Sequence, residues 1–188
     1  MDVIKQPMKN IGVLMTGGGA PGAAGIIRCL KMDTRIRLVV GDANPDAVGR
    51  YLNDTFVVLP SASDPNFTDE LLRIALEQGV DIIFPLVTRE LFRLATEKER
   101  FLEHGIRVIV SDAENLHIAN NKSALVAHLH QHGIVVPAHA IVNSIEDLES
   151  AVHALGYPRV NVAIKPSISN GSRGVRILSE KIDEYDLM

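Results

Sequence analysis

Val162-Ala-Ile-Lys-Pro-Ser-Ile-Ser-Asn-Gly-Ser-Arg-Gly-Val-Arg-Ile-Leu178 holds two apolar, strand-like runs, Val162 to Ile164 and Val175 to Leu178. Between them lies a loop of small and polar residues, Ser169, Asn170, Gly171, Ser172, Arg173 and Gly174, entered through Lys165. A hairpin with such a tip can bring several backbone N–H groups to one anion, and the Lys and Arg at its mouth add positive charge. The sequence therefore predicts a phosphate cover. Lys165 is its strongest single residue. A lysine that ends an apolar strand before a proline is costly to bury without a counter-charge, and a phosphate would provide one.

Upstream of the hairpin, Leu155-Gly-Tyr-Pro158 leads into the Lys165 strand. Ser144 and Asp147 have the spacing of a helix-capping pair, which predicts a helix to Leu155. Ala138 to Val142 reads as a strand. Asn120-Asn121 opens a helix that runs to His132 and is closed by Gly133-Ile-Val-Val-Pro137, and Ser111-Asp112 caps a shorter helix ending at Ala119. Lys122 then falls in a first helical turn, where N–H groups and the helix dipole favour an anion.

The first 111 residues have a different rhythm. Apolar runs at Ile11 to Thr16, Arg35 to Gly41, Thr55 to Leu59, Val80 to Phe84 and Arg107 to Val110 alternate with helical patterns at Ala23 to Leu30, Phe67 to Gln78 and Thr88 to Glu103. Short strand–helix alternation of this kind predicts an α/β fold, a parallel doubly wound sheet with flanking helices. The expected organisation is a domain over residues 1–111 and a second, α+β segment over 112–188.

Bulk properties narrow the function classes. Hydrophobic residues at 46% and charged residues at 22% describe an ordinary globular chain. A net charge of −4 argues against a general nucleic-acid or anionic-membrane surface. Cys29 is the single cysteine, so neither an internal disulfide nor a cysteine-cluster metal site can form. No apolar run approaches the roughly 20 residues that span a bilayer, and residues 1–10 are too polar for a signal peptide, so a cytoplasmic location is expected.

The hairpin resembles the glycine-rich loop of the ATP-grasp superfamily, and Asn121-Lys122, Gly133 to Pro137 and Leu155 to Pro158 support the likeness. Among those proteins the chain is most similar to the carbamoyl-phosphate synthase large subunit and its stand-alone relatives. The resemblance implies a pre-ATP-grasp domain over residues 1–111, followed by the first, incomplete part of an ATP-grasp domain over 112–188. It implies ATP as cofactor, with Lys122, Lys165, Ser169, Asn170, Gly171, Ser172, Arg173 and Gly174 around the phosphates. It also implies an ATP-dependent carboxylate–amine ligase, in which a small-molecule carboxylate is activated as an acyl phosphate and attacked by an amine. Carbamoyl-phosphate synthases carry an arginine and more glycine where this loop has serine, a departure that bears on the particular enzyme rather than on the superfamily. The Mg²⁺ ligands and the adenine hinge are expected in a later half of the fold. The chain alone is expected to be inactive, as a truncated form or as half of a split enzyme completed by a second polypeptide. No catalytic residue is assigned, and a homo-oligomer is left open.

Other readings compete. Gly17, Gly19 and Gly22 satisfy G-x-G-x-x-G, which with Asp42 as a ribose partner would suit an NAD(P)-dependent oxidoreductase. The plainer alternative is that these glycines allow a tight turn and close helix packing, and Tyr51, Tyr157 and Tyr185 all lack the lysine four residues on that such an oxidoreductase would use. A non-catalytic ligand-binding module is the third reading. Arg89 and Glu90, beyond the fourth apolar run, sit where α/β sheets bind ligands, and could equally be solvated first-turn residues. His128, His130 and His132 lack the glutamate and third ligand of a zinc helix and are read as a solvated face, so no metal site is expected.

Overall fold

The computed structural model describes residues 10–169 and 171–179, and it divides into two compact units between Leu116 and His117. In the first unit, β1 (Ile11–Met15), β2 (Ile36–Asp42), β3 (Phe56–Val58), β4 (Ile82–Phe84) and β5 (Arg107–Val108) form one sheet. The strand order is β3-β2-β1-β4-β5 and every pairing is parallel. Helices α1 (Ala23–Lys31), α2 (Phe67–Glu77) and α3 (Thr88–Glu103) connect the strands, and α4 covers Ala113–Ala119.

Strand periodicity sorts the core into two layers. Successive side chains of a strand point to opposite faces, so Leu14 of β1 packs with Phe67, Leu71, Leu94 and Phe101 from α2 and α3. Its neighbours Val13 and Met15 pack with Ala23 and Ile27 from α1. Both faces of the sheet are therefore covered, which explains its near-continuous apolar strands. The chain winds from β1 to β2 and β3 on one side, then to β4 and β5 on the other. That reversal opens a switch point between the carboxyl ends of β1 and β4.

The glycine turn after β1 is required by packing. A Cβ on Gly18 would lie 2.7 Å from Val40 Cγ1, and the Gly18 carbonyl accepts the N–H of Gly49 at 3.0 Å. Gly49 belongs to a short 3-10 turn, Val48–Tyr51, that the sequence did not announce.

The second unit holds α5 (Lys122–Gln131), α6 (Ile145–Ala154) and an antiparallel pair, β6 (Val162–Ile164) with β7 (Arg176–Leu178). Val162 faces Leu178 and Ile164 faces Arg176, so Lys165 leaves the ladder at the start of the connecting loop. The strand expected over Ala138 to Val142 is absent. That segment is irregular, because no described residue offers it a ladder, and its side chains line a cavity instead. Asn170, one of the expected loop residues, lies outside the described residues.

Candidate functional site

A cavity of about 550 Å³ in the second unit is walled by α5, α6, the 137–142 segment and β6. Its lining is mostly aliphatic, with Leu125, Val126, Ile141, Val142, Val162 and Ile164 among the contributors. Among the described residues, the charged groups on its wall are Lys122 and Lys165, and no Asp or Glu joins them. Two cations beside an apolar space without a carboxylate form a donor set suited to an anion attached to an apolar group.

Each lysine has a local cause. Asn121 caps α5 by accepting the N–H groups of Ser123 and Ala124 on its side chain, at 3.1 and 3.2 Å, which fixes Lys122 at the first helical position. The N–H of Lys122 itself donates to the Ser167 carbonyl at 2.8 Å. The first-turn amides expected to receive an anion are therefore spent within the protein. The ammonium is left as the cationic donor of this turn. Lys122 Nζ donates to Ser169 Oγ at 3.0 Å and to the Ser169 carbonyl at 3.3 Å, leaving its third N–H. Lys165 is exposed rather than buried, and no hydrogen bond or ion pair to it occurs among the described residues. The expectation that desolvation would demand a counter-charge at Lys165 is corrected accordingly. Its ammonium is held by no described residue.

Beyond Lys165 the loop turns sharply. Ser172 takes a left-handed backbone with φ of 59°, and Gly174, with φ of 75°, passes so close to Pro166 that a Cβ would meet its Cγ at 2.8 Å. Gly171, Arg173 and Ser172 are exposed at the tip.

The first unit's switch point holds a second polar group. Thr16, fully buried at the end of β1, donates its hydroxyl to Glu90 Oε2 at 2.6 Å and accepts the N–H of Leu86 at 3.2 Å. Glu90 is 5% exposed while its neighbour Arg89 is exposed, so the paired expectation for these two residues divides. Burial pushes the Glu90 carboxyl up to about 7, with a smaller contribution from the negative charge of Asp42, while the Thr16 hydroxyl works in the opposite direction. Asp42 is engaged by the glycine turn, accepting the N–H groups of Gly19 at 2.7 Å and Asn44 at 2.8 Å. Each Asp42 oxygen keeps a further lone pair, so these two bonds do not by themselves exclude a ribose hydroxyl.

His128 and His132 come together as tilted rings with centroids 4.3 Å apart, and His132 Nδ1 lies 2.8 Å from the His128 carbonyl. No group of three or more metal-ligating side chains occurs among the described residues. Nor is any described helix long and apolar enough to cross a membrane.

A family model described as "PylC-like, N-terminal domain" matches residues 13–109, just over half of the 188 residues. The chain belongs to this family. The PylC-like region coincides with the five-stranded sheet from β1 to β5. Similar solved structures extend the likeness over the remainder. The ADP complex of an N5-carboxyaminoimidazole ribonucleotide synthetase aligns at TM-score 0.64 and 16% identity, over 96% of this chain and 43% of that one. The Staphylococcus aureus N5-carboxyaminoimidazole synthetase with ADP aligns at 0.65 and 17%, over 95% and 43%. The biotin carboxylase domain of Hydrogenobacter thermophilus 2-oxoglutarate carboxylase, solved with MgADP, ADP and bicarbonate, aligns at 0.60 and 22%, over 88% and 37%. These are ATP-grasp enzymes, and this chain has the fold of their N-terminal part. The PylC-like chain spans less than half the length of each.

Proposed function

We propose that the chain is the N-terminal part of an ATP-grasp carboxylate–amine ligase, with a pre-ATP-grasp domain over residues 1–111 and the first part of an ATP-grasp domain over 112–188. The single observation carrying this reading is the pair Lys122 and Lys165 on one apolar cavity wall with no described carboxylate. Two ammonium groups there suit the phosphates of ATP, and the aliphatic wall suits its base. ATP would supply the phosphoryl group that activates a substrate carboxylate. Lys122 and Lys165 would neutralise phosphate charge, as phosphoryl transfer requires. Ser169, Asn170, Gly171, Ser172, Arg173 and Gly174 would lie over the phosphates and limit access of water. Among the described residues the cavity wall offers no acidic ligand for Mg²⁺, and the metal ligands are assigned to the later half of the fold. In this reading a further polypeptide segment, on the same chain or another, completes the fold and brings the metal ligands and the amine and carboxylate substrates.

The finer assignment we propose is to proteins like the carbamoyl-phosphate synthase large subunit. Asn121-Lys122, Gly133 to Pro137 and Leu155 to Pro158 support the ATP-grasp likeness on which it rests, and the Lys165 loop is the feature that departs from the synthases. The dinucleotide alternative ranks lower, because it leaves Lys122 and Lys165 without a role and the packing of Gly18 against Val40 accounts for the glycine turn.

Thermal denaturation with ATP, inorganic tripolyphosphate and NAD(P)H tests the reading. A ligand at 100 times its Kd adds about 2.7 kcal/mol to stability. The expected result is stabilisation by ATP and tripolyphosphate that disappears in a K122M/K165M double variant. Stabilisation by the dinucleotide alone would overturn the proposal.

A further inference from the structure

The α5 amino terminus and the root of the β6–β7 loop are joined at three places. The N–H of Lys122 donates to the Ser167 carbonyl at 2.8 Å, the hydroxyls of Ser123 and Ser167 meet at 2.8 Å, and the Lys122 ammonium reaches Ser169 through its hydroxyl and carbonyl. These contacts bridge segments more than 40 residues apart in sequence, so they reflect tertiary structure rather than local turn geometry. Ser123 and Ser167 also line the cavity beside the two lysines.

The chemistry of the contacts is unusual for a purely structural tie. A lysine that only fastens two segments would gain more from a carboxylate, whose opposite charge adds Coulomb attraction to the hydrogen bond, than from the neutral oxygens of Ser169. Here the ammonium is given two neutral acceptors on one residue, which fix its position, and no described carboxylate compensates its charge. Its position depends in turn on the Ser123–Ser167 bond, which sets the distance between the helix end and the loop root. The Asn121 cap adds to the constraint by holding the Ser123 and Ala124 amides, so the first turn of α5 cannot shift to follow a displaced loop.

We infer that Ser123, Ser167 and Ser169 are positioning residues that clasp α5 to the loop root, so that an anion at Lys122 and the conformation of the loop are coupled. The inference rests on the phosphate-binding reading of Lys122. Without the clasp, the ammonium would sample several rotamers and the loop would open independently of it; with the clasp, an anion gripped by Lys122 finds the loop already beside it. This is pre-organisation, which raises affinity by lowering the cost of ordering the site.

The full chain provides the test, with the single variants S123A, S167A, S169A, S169T and K122M. Two readouts are taken: the rate of tryptic cleavage after Arg173, an exposed loop residue, followed by mass spectrometry in the free protein, and the Kd of inorganic tripolyphosphate by calorimetry. Loss of one net hydrogen bond corresponds to about a 3- to 10-fold effect. Cleavage after Arg173 is expected to accelerate by about that factor in S123A, S167A, S169A and K122M, and Kd to rise by about the same factor in the three alanine variants. S169T, which keeps the hydroxyl, should restore both. S123A/S167A should be no worse than either single variant, because the two hydroxyls serve one bond. Unchanged cleavage and unchanged Kd in all three alanine variants would overturn the clasp. If wild type fails to bind tripolyphosphate while Arg173 cleavage still accelerates in the serine variants, the clasp stands and the phosphate reading of Lys122 falls.

Discussion

The helices of the two units are held in opposite ways. In the first unit, α1, α2 and α3 have no side-chain capping bond at their amino ends, and each buries an apolar stripe in the sheet. In the second, α5 and α6 are capped by Asn121 and Ser144, yet α5 has no buried residue and α6 only Val152. Burial substitutes for capping in one unit and capping for burial in the other. Most helical stability in proteins comes from packing an amphipathic face, so α5 and α6 are the weaker pair. The same contrast runs through the side chains. Val152 and Val162 are the buried hydrophobics of the second unit among the described residues, while Val135 is 96% exposed and Ile145 79%. The first unit carries a core of its own, whereas the second keeps apolar surface and two lysines at one cavity, open to a ligand.

Removing core volume should separate the units most sharply. Phe67 is fully buried between the sheet and Leu71 and Leu94, so Phe67→Ala should cost about 3–5 kcal/mol in unfolding of the first unit. Leu148, partly exposed on the cavity wall, should cost the second unit about 1 kcal/mol or less when cut to alanine, because that space is already open. Urea unfolding read by amide exchange in each unit gives both values. Equal costs would mean that the second unit is packed as tightly as the first.

A smaller effect follows from Glu90. Its carboxyl rises from 4.5 to about 7 in the folded protein, chiefly through burial, so the folded state holds the proton more tightly than the unfolded one. By linkage, this group favours folding most below the unfolded value and loses that contribution as pH climbs from about 4.5 to about 7. Each tenfold difference in proton affinity between the two states is worth about 1.4 kcal/mol, so the loss between pH 5 and pH 8 should approach about 2–3 kcal/mol. Glu90→Gln keeps an acceptor for the Thr16 hydroxyl and cannot ionise. The variant should match wild type near pH 5 and exceed it by that margin at pH 8, measured by urea midpoints across the range. A difference that does not vary with pH would show that Glu90 is ionised in the fold without penalty.

The sequence made the alternation of strand and helix readable because apolar runs and glycine stops leave periodic traces, and the five-stranded parallel sheet follows those runs closely. Features without periodicity were hidden. The 3-10 turn at Val48–Tyr51 is explained only by the fit of Gly49 against Gly18 and Val40. Ala138 to Val142 has a strand's composition, but composition does not reveal whether a ladder partner exists. Glu90 is spaced like an ordinary solvent-facing acid of a first helical turn, and its burial depends on Thr16, 74 residues earlier. Lys122 could be placed at a helix start from Asn121. That its ammonium would meet Ser169 rather than a carboxylate depends on a fold that joins positions 47 apart in sequence.

The finest test concerns the caps themselves. Asn121→Ala removes the side-chain acceptor of two first-turn amides and should cost about 1 kcal/mol, since α5 has no buried residue to compensate. Asn66→Ala, at the corresponding position before α2, should cost only a few tenths, because the Asn66 side chain makes no capping bond and Phe67, Leu71 and Ala75 are buried below it. Exchange of the α5 amides should therefore accelerate about fivefold in Asn121→Ala, while the α2 amides in Asn66→Ala stay near wild type. The contrast bears on the lysine as well. If α5 frays, Lys122 leaves the first turn and its ammonium loses Ser169, so the loop after Lys165 should also exchange faster in Asn121→Ala. Fraying confined to α5, with the loop unchanged, would mean that the loop is held from the β6–β7 side alone, and capping would then be a property of the helix rather than of the site.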